Sequence, residues 1–284
     1  MARRLYVDGP FGQMHLRIAG EASHEQPPLI CFHLSPLSSR LYERFIDGLA
    51  ERGRCAIAVD TPGFGMSDAP PAPPAISDYS NAMLAVIDAL GFAEPVDLMG
   101  YHTGSMIAVD LAAQWPERVR RLVLVATPIF TTTEREHLRR IYGPTPPRLD
   151  GGHLLERWNS FVHHYLGRGL GLEQVADLFP ERLLGRSNGW WGHNAAFSFA
   201  PDMRLPEIAQ PMLVLNPNDD LQAETRRAVP LIRNGQILEL PGWGHGFLDG
   251  FTQDAVQLVE SFLRADGANP FGMLTLPGSS QVAS

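Results

Sequence analysis

The strongest constraint on the fold is an alternation of short apolar segments with amphipathic segments along the first 127 residues. Apolar runs of strand length, such as 28–32 and 55–60, alternate with segments such as 76–90, whose apolar residues recur at helical spacing. Apolar strands separated by helices are typical of a parallel sheet covered on both faces. The sequence therefore predicts an α/β fold with a mostly parallel sheet of about eight strands flanked by helices.

The alternation stops at residue 128 and resumes near residue 210. Residues 128–209 are helix-like and rich in Arg, Gly, His and Trp, which predicts a helical cap over the carboxyl edge of the sheet, where such sheets bind ligands. We therefore expect a core formed by residues 1–127 and 210–268, a cap at 128–209 and a loose tail at 269–284.

Three further helices are predicted from the spacing of apolar residues. They cover 38–52, a segment near 223–232, and one long stretch from 247 to 264.

The 23 basic residues are all arginine, so the chain contains no lysine. This excludes enzymes that form a Schiff base through lysine, including pyridoxal-phosphate enzymes, and it excludes phosphate-binding loops that end in Lys-Ser or Lys-Thr. The net charge is −8, and no cluster of basic residues indicates nucleic acid as a partner.

No apolar run approaches the roughly 20 residues that span a membrane, and the first residues have no apolar signal core. Cys31 and Cys55 lie in apolar strands and are expected to be reduced core thiols. We therefore expect a cytoplasmic monomer or homodimer with a small-molecule substrate, no membrane partner and no cofactor.

Residues 100–104 read Gly-Tyr-His-Thr-Gly and lie between a predicted strand and a predicted helix. Small residues two positions before and after the centre permit a strained turn that lifts the central side chain above the sheet. The N-terminus of the next helix lies beside that side chain. The segment therefore has the pattern of a nucleophile elbow centred on His102.

With this elbow the chain resembles the α/β-hydrolase family over residues 5–265, and four further segments agree. In chain order they are residues 33–36 at the oxyanion loop, 60–68 after the next strand, 216–220 at the triad acid and 244–247 at the triad histidine. The resemblance implies that His245 is the catalytic base and that Asp220, or alternatively Asp219, orients it. It also implies that the backbone N–H groups of Ser35 and Thr103 form the oxyanion hole.

The chain departs from the family at the centre of the elbow, where Ser, Asp or Cys is usual. His102 admits three interpretations: it attacks the substrate to form an acyl-imidazole, it pairs with His245 to activate water or move a proton, or it is a relic in a protein that only binds a ligand. We favour the pair, because an imidazole places its nitrogen farther from the oxyanion donors than a serine oxygen lies. Leu34 and Pro217 also replace glycines that are usual in the family.

Two other polar residues near these motifs are expected to be structural. Ser105 lies in the first turn of a helix and is interpreted as a packing residue rather than a displaced nucleophile. His33 packs structurally in the family's loop, and Asp220 would be engaged by His245. Although His33, His102 and His245 have the composition of a transition-metal site, we therefore predict no metal.

In the predicted cap, residues 189–197 contain adjacent tryptophans, whose side chains face different directions. We expect Trp190, Trp191 and His193 to contact substrate in an aromatic pocket, with the alternative that both tryptophans hold the cap on the core. The doublet at 163–164, His-His, is expected to be a surface or packing feature.

The sequence thus predicts a hydrolase-like enzyme acting on a small, largely apolar or aromatic ester, lactone or C–C ketone by a histidine-dependent, non-serine mechanism. Two alternatives stay open. One is a lyase or proton-transfer enzyme on the same fold, and the other is a non-catalytic ligand-binding homologue.

Overall fold

The central sheet has the α/β arrangement that the alternation predicts. The computed structural model describes residues 1–23, 26–167 and 169–265 of the 284. Within them the strands are β1 (Arg3–Gly9), β2 (Gly12–Ala19), β3 (Leu29–Phe32), β4 (Ala56–Val59), β5 (Val96–Tyr101), β6 (Val119–Val125), β7 (Met212–Pro217) and β8 (Gly235–Leu240). Their order is β1-β2-β4-β3-β5-β6-β7-β8. Strands β1 and β2 form an antiparallel hairpin, and β2 pairs antiparallel with β4. The remaining pairs, β4 with β3, β3 with β5, β5 with β6, β6 with β7 and β7 with β8, are all parallel.

Strands β3 and β4, near the middle of the sheet, are apolar throughout because both of their faces are covered. Every residue of β3 is buried, and its successive side chains point to opposite faces of the sheet. Ile30 and Phe32 join one apolar cluster, whereas Leu29 and Cys31 join the other. Burying a large aliphatic or aromatic side chain contributes about 1.5–3 kcal/mol, so a one-residue shift of register would be strongly unfavourable. Both cysteine thiols are buried and unpaired.

The helices form a layer on each face of the sheet and an insertion. In chain order they are α1 (Glu43–Glu51), α2 (Ile76–Ala89), α3 (Thr103–Gln114), α4 (Thr132–Ile141), α5 (Gly152–Tyr165), α6 (Leu172–Leu178), α7 (Trp191–Ser198), α8 (Pro201–Arg204), α9 (Gln222–Arg226), α10 (Phe247–Gly250) and α11 (Thr252–Arg264). Helix α1 packs against α11 on one face, and α2 packs against α3 on the other. Within the described ranges, no helix is long and apolar enough to cross a membrane.

Helices α4 to α8 all lie between β6 and β7, which agrees with the predicted helical insertion. The first of them begins at a capping box, in which the Thr131 hydroxyl accepts the Glu134 N–H at 3.2 Å and the Glu134 carboxylate accepts the Thr131 N–H at 2.7 Å. Helix α7 packs against α3, which begins at the carboxyl end of β5. The insertion therefore packs against the helix that begins at the elbow.

Some predicted helices differ from those observed. The single helix expected over 247–264 is wrong: Phe251 leaves the helical conformation (φ −130°, ψ 39°), and its ring stacks on Trp243 with centroids 5.7 Å apart. The helix expected near 223–232 ends early, because Pro230 lies in a 3-10 turn after α9 and has no N–H for a longer helix. The segment over 38–52 begins with a 3-10 turn at Ser39–Tyr42. The predicted tail at 269–284 lies outside the described residues.

Candidate active site

The predicted elbow forms the turn between β5 and α3. His102 has φ 48° and ψ −108°, a conformation that non-glycine residues rarely adopt. A Cβ at Gly100 would overlap the backbone oxygen of Gly104, and a Cβ at Gly104 would overlap that of Phe32. Only glycine fits at these two positions, and the close packing that they allow holds the strained residue between them.

The His102 ring is fixed by a buried carboxylate. Its Nε2 lies 3.0 Å from Oδ2 of Asp219, whose side chain is fully buried. The other carboxylate oxygen accepts the backbone N–H of Leu221 at 2.9 Å. The ring of Tyr101 packs edge-on against the imidazole with centroids 4.8 Å apart. These contacts leave His102 little rotational freedom.

A second histidine–carboxylate pair lies beside the first. Nε2 of His245 is 3.2 Å from Oδ1 of Asp220. The Tyr101 hydroxyl donates to the backbone carbonyl of His245 at 3.0 Å, which ties this loop to the strand that carries the elbow. The ring centroids of His102 and His245 are 5.0 Å apart and their planes meet at 86°. Each of two consecutive aspartates therefore holds one of two neighbouring imidazoles.

Both carboxylates contact the Nε2 atom of their histidine. The His102–Asp219 contact is a hydrogen bond, and when Nε2–H donates to the carboxylate, Nδ1 is the ring atom left to accept a proton. The His245–Asp220 contact is an ion-pair distance of 3.2 Å at the same ring nitrogen. Within the described part of the chain, neither Nδ1 atom has a hydrogen-bond partner. The pairs are therefore arranged for proton transfer at Nδ1.

Burial and neighbouring charges set the protonation of these groups. Burial lowers the pKa of His245 to about 4, and the neighbouring His102 adds to the effect. Burial alone would raise the pKa of Asp219, but the hydrogen bond from His102 and the proximity of His245 outweigh it and hold that pKa below its usual value. At neutral pH His245 is thus neutral and Asp219 is ionised.

A family model described as alpha/beta hydrolase fold matches residues 27–215. The chain belongs to the α/β-hydrolase fold family. The chain is 25% identical over 206 residues to a cis-3-alkyl-4-alkyloxetan-2-one decarboxylase of Shewanella oneidensis, which covers 69% of this chain and 64% of that protein. It is 32% identical over 156 residues to a haloalkane dehalogenase of Mycolicibacterium paratuberculosis, covering 53% and 46% respectively. The chain thus spans less than two thirds of the length of these relatives.

A solved structure gives the same fold. The enol-lactonase from Burkholderia xenovorans LB400 has a TM-score of 0.76 to this chain at 21% identity, covering 92% of this chain and all of that one. This likeness establishes the shared architecture and leaves the chemistry to the residues of the site.

The site departs from the triad arrangement associated with this α/β-hydrolase fold. In a Ser–His–Asp triad the carboxylate binds Nδ1 and the Nε2 atom faces the nucleophile. Here the carboxylates contact Nε2 in both pairs, and the elbow carries a histidine. The sequence left Asp219 and Asp220 as alternatives. In the structure Asp220 contacts His245, and Asp219 contacts the other histidine.

A cavity of about 750 Å³, including its open mouth, lies above the two pairs. Its polar wall contains several residues that the sequence indicated, namely Ser35, His102, Thr103, His193, Asp220 and His245. Aromatic rings form another part of the wall, namely Phe130, Tyr142, Phe161, Tyr165 and Phe197. The predicted oxyanion residues therefore share one cavity with both histidines.

The two tryptophans of the insertion differ in position. Trp190 lines an adjoining cavity, which shares part of its wall with the first. Trp191 is 8% exposed and packs in the apolar core, within van der Waals distance of a Cβ placed on Gly63. Trp191 therefore lies away from the cavity, because the first turn of α7 directs it toward the sheet.

Three cavity residues were missed by sequence reasoning. The ring of His164 lies 5.0 Å from that of His245, although we expected a surface or packing role. Tyr142 stacks on His193 with centroids 4.7 Å apart, and Arg182 lines both cavities. The His-His doublet was a signal, but only the packing of α5 against the site brings one of its rings to His245.

His33 and Ser105 have structural contacts. Nδ1–H of His33 donates to the Leu34 carbonyl at 2.9 Å, and its Nε2 accepts the Thr61 N–H at 3.0 Å. The Ser105 hydroxyl lies 2.9 Å from the carbonyl oxygens of both Gly100 and Val125. These contacts agree with the structural roles expected for both residues.

Two groups of side chains have the composition of a metal site. They are His102 with Asp219 and His245, and His164 with Asp220 and His245; in each, one potential ligand atom per residue lies within 4.8 Å of the others. Nitrogen and carboxylate ligands suit transition metals. In both groups, however, the carboxylate already contacts a histidine ring nitrogen.

Proposed function

We propose that this protein is an enzyme that hydrolyses a small, largely apolar or aromatic ester, lactone or C–C ketone without a serine nucleophile. The observation that carries the proposal is the pair of adjacent histidine–aspartate contacts at the base of one cavity. A protein that only binds its ligand has no need of two oriented imidazoles, one of which has a strongly lowered pKa.

In the proposed reaction, neutral His245 takes a proton from water at Nδ1. The water oxygen bonds to the substrate carbonyl carbon, and the C=O electron pair moves onto the carbonyl oxygen. The backbone N–H groups of Ser35 and Thr103 stabilise that charge. The Thr103 N–H opens helix α3 and therefore has no intrahelical acceptor. The electron pair on that oxygen then re-forms the C=O bond, the leaving group departs with its bonding electrons, and the proton held by the histidines passes to it.

The two aspartates keep the imidazoles in one tautomer. A carboxylate that accepts Nε2–H stabilises the imidazolium formed during proton transfer. Asp219 is buried and ionised, so it also favours a positive charge on the pair. His102, at the elbow, therefore either accepts the proton from His245 or holds it jointly with His245.

The comparisons support a lactone or related ester as the substrate. One relative is named for an oxetan-2-one, which is a cyclic ester, and one structural neighbour is an enol-lactonase. The aromatic wall of the cavity favours a ring or an extended apolar group beside the reacting carbonyl.

A lyase is the second candidate, favoured by the decarboxylase among the relatives. In that case the histidines would move a proton without adding water to a carbonyl. Turnover in ¹⁸O-labelled water separates the two reactions, because only hydrolysis incorporates the label into the product acid.

The test of the proposal is turnover of a panel of aryl-substituted lactones and esters by the wild type and two variants. We expect His245→Ala and His102→Ala each to lower kcat/KM by about 10²–10⁴-fold, because each removes a proton-transfer group. The exposed His137 of α4 provides the matched control, and His137→Ala should retain full activity. Unchanged turnover in His245→Ala would reject the mechanism, and recovery of every ligand intact from the wild type would favour a binding protein.

A further inference from the structure

Arg182 lines both cavities. Among residues 1–23, 26–167 and 169–265, no carboxylate forms an ion pair with it, whereas Arg148 and Arg204 of the insertion each contact an acidic side chain. The neighbouring acid is directed elsewhere: the Glu181 carboxylate accepts the Ser38 hydroxyl and lines a different cavity. The sequence therefore places a carboxylate beside this arginine, but the fold separates the two.

A second cation lies near the first. Arg157 lines the adjoining cavity together with Arg182, and it too lacks an ion-pair partner among the described residues. Burial lowers the pKa of Arg182; Tyr165 opposes this shift, and the charge of Arg157 adds to it. The chain as a whole is acidic, with a net charge of −8, so this local excess of positive charge is not a general property of the molecule.

The cation faces the same cavity as the histidine pairs. Burial lowers the pKa of His193 to about 3 and the charge of Arg182 adds to the shift, so the two side chains are close enough to interact. Burial also lowers the pKa of His164, again with a contribution from Arg182. The His164 ring lies 5.0 Å from that of His245. Because Arg182, His102 and His245 line one cavity, a small molecule there can contact the guanidinium as well as the histidines.

We infer that the substrate of this site carries a carboxylate, which Arg182 binds, and an aromatic or apolar body that the rings of the cavity hold. This inference names the substrate class of the enzyme proposed above and therefore rests on that proposal. An unpaired, half-buried guanidinium destabilises a folded chain, so its retention is explained when a ligand supplies the missing charge. Guanidinium and carboxylate groups fit each other through two parallel hydrogen bonds, which fixes the ligand's orientation as well as its charge.

Equilibrium binding tests the inference without requiring turnover. The probes are matched acid and amide pairs, benzoate with benzamide and 3-phenylpropionate with 3-phenylpropanamide, titrated calorimetrically into the full chain. We expect the wild type to bind at least one acid about tenfold or more tightly than its amide, and Arg182→Gln to lose that preference. Arg182→Lys should keep part of it, because the charge remains while the paired hydrogen bonds do not.

Three controls keep the result interpretable. Arg139→Gln makes the same charge change on the exposed side of α4 and should leave the preference intact. Arg182→Gln should unfold at the same or a higher temperature than the wild type, because an unpaired charge has been removed. His245→Ala should retain the acid preference while losing turnover, which separates failure of this inference from failure of the proposed reaction. Equal affinity for acid and amide, no binding of either acid at millimolar concentration, or an unchanged preference in Arg182→Gln would overturn the inference.

Discussion

His102 places an imidazole at a backbone position whose geometry suits a much smaller side chain. Its positive φ and its place at the start of α3 are those of a nucleophile elbow. The imidazole nevertheless has a defined partner, since Asp219 is buried directly beneath it. A histidine without a function at this site would not need a fully buried carboxylate, which is costly to desolvate unless it is paired.

Replacement of His102 by serine tests how much of a serine-hydrolase site surrounds the elbow. We expect His102→Ser to release a burst of one equivalent of nitrophenolate from 4-nitrophenyl acetate, about 100-fold faster than His102→Ala, because His245 can then activate the hydroxyl. The burst should disappear in the double variant with His245→Ala. Stopped-flow absorbance measures it. Equal rates in the serine and alanine variants would show that the oxyanion donors or the base are not positioned for acyl transfer.

At the scale of secondary-structure elements, the site depends on how closely α3 approaches the strands. The helix and β3 meet at Gly104, where no side chain fits. The spacing of Gly100 and Gly104 around His102 was enough to predict the tight turn of the elbow from the sequence. It could not predict the break between α10 and α11, because that break depends on Phe251 stacking on Trp243.

Substitution of Gly104 by alanine should therefore displace α3. A Cβ there would overlap the backbone oxygen of Phe32, which cannot move without disturbing β3. We expect Gly104→Ala to lower the free energy of unfolding by about 3 kcal/mol or more. Urea denaturation followed by circular dichroism measures the change. Gly143→Ala is the control, since its Cβ would lie 3.5 Å from its nearest neighbours, and a loss as large as that in Gly104→Ala would argue against the steric explanation.

At the scale of the whole molecule, the fold buries two histidines that the sequence assigned to substrate binding and to catalysis, His193 and His245. Burial lowers the pKa of His193 to about 3 and that of His245 to about 4. An unfolded histidine has a pKa of about 6.5, so below that pH the unfolded chain binds protons that the folded chain does not. The stability that these two histidines contribute is therefore fully present above about pH 6.5. It is lost as the pH falls toward their lowered pKa values.

We expect the free energy of unfolding to be lower at pH 5 than at pH 7. Below pH 6.5, each histidine with a lowered pKa should reduce it by roughly 1.4 kcal/mol per pH unit. Urea titrations at both pH values measure the fall. His193→Asn should reduce the pH dependence by about one proton. The lowered pKa of Asp219 acts only below its usual value of 3.8, outside this range. Equal stability at the two pH values would contradict the prediction.

The sequence by itself determined the fold class, the position of the elbow and the identity of both histidines. These features depend on local periodicity and on short motifs, and glycines at fixed spacing around His102 specify the turn from nearby residues alone. The order of elbow, acid and histidine along the chain also follows from the sequence.

Only the tertiary structure decided which aspartate contacts which histidine, which tryptophan lines the adjoining cavity, and that Arg182 has no ion-pair partner among the described residues. Asp219 and Asp220 are adjacent in sequence, yet one is fully buried beneath His102 and the other lies beside His245. Arg182 follows Glu181 directly, yet the fold turns the two side chains to different cavities. Such assignments depend on contacts between residues far apart in the chain, and neighbours in sequence diverge because successive side chains leave the backbone in different directions.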